Sequence, residues 1–65
     1  MTDADLDEHF PRATREQRIA IPIYHDAGWT INEMLPDSDD IRISRPAGEW
    51  VDHALIRPSG NVMTA

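Results

Sequence analysis

The chain has 65 residues, no cysteine, and twelve acids against six cations, giving a formal net charge of −6. One domain is the upper limit, and a chain this short buries only about 60% of its unfolded surface. Disulfides and thiolate metal sites are excluded, no apolar run is long enough for a membrane span, and an acidic balance argues against phosphate-dominated binding.

Marginal size without staples makes a homodimer, or docking on a larger partner, an expectation. All six cations are arginine. Acid excess without lysine fits adaptation to high salt, but also GC-rich coding or chance. The first ten residues, MTDADLDEHF, lack the basic and apolar regions of a signal peptide, so a cytoplasmic protein is expected. Asp3, Asp5, Asp7 and Glu8 crowd this segment, and residues 1–10 read as a disordered acidic tail closed by Pro11.

A helix is predicted from about Arg15 to Ala27. Thr14 and Gln17 fit a capping box, and Glu16 suits the first turn. Ala20, Ile23, Tyr24 and Ala27 follow helical spacing, and Gly28 fits a left-handed stop. Pro22 conflicts with this reading, and a kink near it is expected. Ile19, Ile21 and Ile23 also alternate, so an edge strand over 18–24 stays open.

Thr30 and Glu33 form a second capping box, with Trp29 and Met34 spaced as a hydrophobic staple. A short second helix over 30–35 is predicted, with Ile31, Met34 and Leu35 as its apolar face and Pro36 as its stop. Asp37 to Asp40 read as a polar turn, and Ile41-Arg42-Ile43 as a short strand or linker. From Ser44 the i,i+4 pairs Trp50/Ala54 and Val51/Leu55 predict a third helix, weakened by Gly48 and ended at Arg57-Pro58. Residues 59–65 read as a C-terminal tail containing a turn and an optional last strand.

The stretch Tyr24-His25-Asp26-Ala27-Gly28-Trp29-Thr30-Ile31-Asn32-Glu33-Met34, with Arg18-Ile19-Ala20 before it, resembles the helix-turn-helix of resolvase-type recombinases, transposases and small regulators. The resemblance covers about 20 of the 65 residues. It implies a mainly α, three-helix domain over residues 11–58, with a short C-terminal strand or wing as an option. It also implies binding of double-stranded DNA and transcription regulation. On that reading Ser44, Arg45 and Glu49 lie nearest the bases and Arg42 on phosphate. Pro36, Pro46 and Gly48 depart from the pattern, and alignment of Ser44-Arg45 with the family's Ser-Arg needs an insertion of about three residues.

Other chemistry is thin. His25-Asp26, Asp52-His53 and Glu8-His9 are sequence neighbours without metal-ligand spacing, and Ser38, Ser44 and Ser59 lack a nucleophile-elbow context. No cofactor, metal or catalytic site is predicted. Trp29 and Trp50 suit a small core better than base stacking. The second reading from another class is a small acidic β-rich or α/β protein-interaction module, an inhibitor or adaptor, with strands at 18–24, 41–45, 50–56 and 61–64.

Overall fold

In the computed structural model, which describes residues 2–64, two helices precede a four-stranded antiparallel sheet. The elements are α1 (Asp3–His9), α2 (Arg15–Asp26), β1 (Thr30–Met34), β2 (Ile41–Ala47), β3 (Trp50–Ile56) and β4 (Val62–Thr64), and the strands pair in sequence order. This mixed α/β fold replaces the expected three-helix domain.

Helix α1 stands where a disordered tail was expected. Thr2 accepts from the Asp5 backbone while the Asp5 carboxylate accepts from Thr2, a reciprocal capping box. The backbone hydrogen bond to Thr2, with the Thr2 side chain second, holds the Asp5 carboxyl below its ordinary value. One turn on, Leu6 and Phe10 share a face by i,i+4 spacing and are both buried in the core. That burial anchors the helix despite its acidic composition.

Helix α2 forms as its end signals require. The Thr14–Gln17 capping box is complete, and the helix runs through Pro22 to Asp26 without interruption. At the C-terminus Gly28, at φ 96°, donates to the His25 carbonyl, and Trp29 donates to Tyr24 at 3.0 Å. These two bonds are a Schellman motif. The accompanying apolar contact is the edge-to-face pair of Tyr24 and Trp29, with ring centroids 6.3 Å apart.

Beyond Gly28 the second-helix expectation is corrected: residues 30–34 are strand β1. Thr30 pairs with Ser44 and Ile31 with Ile43, and a bulge separates Ile31 from Met34. Glu33 does not reach back to cap Thr30. It crosses the sheet to Arg42. A helix confined between Gly28 and Pro36 is too short to recover its nucleation cost, whereas β1 gains a whole ladder along β2.

The third-helix expectation is corrected by the β2–β3 hairpin. Gly48, at φ 66°, takes the first central position of a two-residue turn, with Ala47 and Trp50 paired across it. Glycine at that position suits a type II′ hairpin turn. The edge-strand reading of 18–24 also fails, because that segment lies within α2. The 41–45, 50–56 and 61–64 strands of the meander reading correspond to β2, β3 and β4.

Alternation along the strands sorts their side chains. Ile41, Ile43, Ala54 and Ile56 are buried with Ala20 and Ile21 of α2 and with Leu6 and Phe10. Both helices therefore cover one face of the sheet. The register puts Arg42, Leu55 and Met63 in one row of the opposite face, Thr30, Ser44 and His53 in a second, and Pro46 and Val51 in a third. No described element covers that face.

Candidate interaction surface

The arginines were the natural candidates for ligand contact, and the fold ties most of them to the chain's own acids. Arg12 meets Asp39 at 2.9 Å, Arg42 meets Glu33 at 2.9 Å, and Arg57 meets Asp40 at 2.9 Å. Arg45 lies 3.6 Å from Asp52, and Arg18 pairs with Asp7. Asp40 is buried, but the other pairs are exposed and stabilise a fold by about 0–1 kcal/mol each. Their consequence here is electrostatic: the cations are locally neutralised. Among the described residues Asp5, Glu8, Glu16, Asp37 and Glu49 have no arginine or histidine partner within 4 Å, so the surplus charge at the surface is negative.

The four residues singled out for DNA contact do not converge. Arg42 lies on the bare face of the sheet beside Glu33. Ser44 lies on the same face and accepts from the Asn32 amide at 3.1 Å. Arg45 points to the helix-covered side, with its guanidinium 4.7 Å from the Trp29 ring centroid. Glu49 sits in the hairpin turn. Successive residues of a strand face opposite ways, so Ser44 and Arg45 cannot present one reading surface. The segment is a hairpin, not a recognition helix, and the helix-turn-helix, DNA-binding and transcription-regulation expectations have no structural support.

Sequence reasoning missed three surface features. The first is the bare face itself, where Val51 is 55% and Met63 48% exposed and half-buried Leu55 lies between Arg42 and Met63. Its signal is the alternation Val51, His53, Leu55, which an i,i+4 reading assigned to a helix. The second is a groove of about 570 Å³ beside the free edge of β1, walled by Phe10, Pro11, Ile31 and Met34, with His9 and Glu33 among its polar residues. The third is a ridge of Ile19 and Ile23 along the outer side of α2. Trp50 is 77% exposed at the hairpin tip, contrary to a core role, whereas Trp29 packs partly buried against the core.

Among the described residues no cluster of three His, Cys, Asp or Glu side chains is placed to hold a metal ion, and no helix is long and apolar enough to cross a membrane. Compared with family models, curated proteins and solved structures, the chain matches none.

Proposed function

We propose that this protein is a non-catalytic protein–protein interaction module, an adaptor or inhibitor that meets a basic partner surface through its excess carboxylates. The observation that carries this reading is the neutralisation of five of its six arginines by its own acids, with Asp5, Glu8, Glu16, Asp37 and Glu49 left over. A field of one sign raises the encounter rate with an oppositely charged partner and weakens as salt is added. The small α/β framework supplies a rigid support for that display.

The test is a fluorescence-anisotropy titration of a labelled arginine-rich peptide over a range of salt. Binding is expected to weaken with salt and to weaken further in the double variant Glu8→Lys, Asp37→Lys. An affinity no greater than for an uncharged peptide of the same length sinks the reading.

A further inference from the structure

The bare face of the sheet differs in kind from the rest of the surface. Its apolar members are Val51, Leu55, Met63 and Pro46, and its neutral polar members include Ser44 and Thr30. Its acid, Glu33, is matched by Arg42 at 2.9 Å, and the Arg57 guanidinium, which donates to the Met63 sulfur at its border, is matched by Asp40 at 2.9 Å. The described carboxylates without an arginine or histidine partner lie elsewhere: Asp5 and Glu8 on α1, Glu16 on α2, Asp37 in the β1–β2 loop and Glu49 in the hairpin turn.

We propose that this face is where a second copy of the chain docks, sheet against sheet, in a two-fold symmetric dimer. Charge selects the occupant. Two copies at −6 repel over most orientations, and repulsion is least where each presents only matched ion pairs, Arg42 with Glu33 and Arg57 with Asp40, beside apolar and hydroxyl side chains. A strongly charged partner would find no counter-charge on this face. A second copy brings the same apolar rows, and a two-fold axis makes such a patch self-complementary.

Area sets the strength. Strand residues spaced about 3.3 Å along and 4.8 Å across the sheet give this face roughly 350 Å² in projection. Side-chain relief enlarges it, and two such faces fall in the class of small interfaces that bury less than about 1,200 Å² in total. The dimer is therefore weak and concentration-dependent. Inner sheet faces pack about 10 Å apart, which brings the His53 positions near each other if the axis passes close to the middle of β3. This inference does not depend on the basic-partner reading, because the carboxylates point away from the docked face and remain available.

Light scattering and sedimentation of the full chain from low micromolar to near-millimolar concentration test it. A monomer–dimer equilibrium is expected, shifting toward dimer as salt rises, because screening removes the repulsion between like-charged copies. Val51→Glu should shift the equilibrium to monomer, and Ile23→Glu, on the outer side of α2, should leave it unchanged. If Val51→Glu does not fold, His53→Cys decides: this otherwise cysteine-free chain should give covalent dimers with a short bismaleimide, and Ile23→Cys should not. Monomer throughout the range, or dimer lost in Ile23→Glu and kept in Val51→Glu, overturns the proposal. Failure of the arginine-rich peptide to bind would leave these outcomes unaffected.

Discussion

The side-chain amide of Gln17, wholly buried, donates to the Ile56 carbonyl at 3.0 Å. The same nitrogen donates to the Asp39 carbonyl at 2.8 Å, and the amide oxygen accepts from the Thr14 backbone at 3.0 Å. One capping residue thus joins the start of α2 to the end of β3 and to the β1–β2 loop. Gln17→Met keeps the length of the side chain but leaves both carbonyls without this donor. An orphaned buried acceptor costs about 1–3 kcal/mol. Stability should fall by an amount in that range or above, read as a lower denaturation midpoint at unchanged m-value. An unchanged midpoint would show that water satisfies both carbonyls.

Thr14 and Thr30 look alike in sequence and differ in role. Thr14 caps α2, accepting from the Gln17 backbone at 3.1 Å, and its hydroxyl donates to the Pro58 carbonyl at 2.6 Å. Thr30 is an exposed first residue of a strand. Thr14→Ala should destabilise the protein by about 0.5–2 kcal/mol, the usual loss for a cap. Thr30→Ala should stay within about 0.5 kcal/mol, as for an ordinary surface change. Paired urea denaturation curves read both, and a larger effect at Thr30 would reinstate a helix after Gly28.

Gly60 is confined more tightly than Gly48. Both have positive φ, 89° and 66°, but a Cβ at Gly60 would lie 2.9 Å from the Glu16 Cβ, while a Cβ at Gly48 meets nothing within 4 Å. An L-residue held at positive φ costs roughly 1–3 kcal/mol. Gly60→Ala should lower the melting temperature more than Gly48→Ala, because only Gly60 also has to push the first turn of α2 away. Equal shifts would mean that backbone strain alone governs both turns.

Local chemistry made part of this fold legible. Thr14, Gln17 and Gly28 marked both ends of α2, because caps and left-handed stops act through groups a few residues apart. The Thr2–Asp5 box and the Leu6/Phe10 spacing carried the same kind of signal for α1, and the acidic composition of the segment concealed it. Negative charge was equally readable from composition, though not where it would lie.

Only the tertiary structure decided the second half. Trp50/Ala54 and Val51/Leu55 are four apart, a spacing that puts residues on one side of a helix and also on one side of a strand. Thr30 and Glu33 likewise satisfied a local capping pattern. What chose the strand was pairing with residues distant in the chain: Ile31 against Ile43, and Arg42 between Glu33 and Leu55. Ladder hydrogen bonds and the burial of Ile41, Ile43 and Ile56 against α2 exist only once those segments meet. The same pairing divided Ser44 from Arg45, set the arginines beside their carboxylates, and created the bare face, none of which a spacing within one segment encodes.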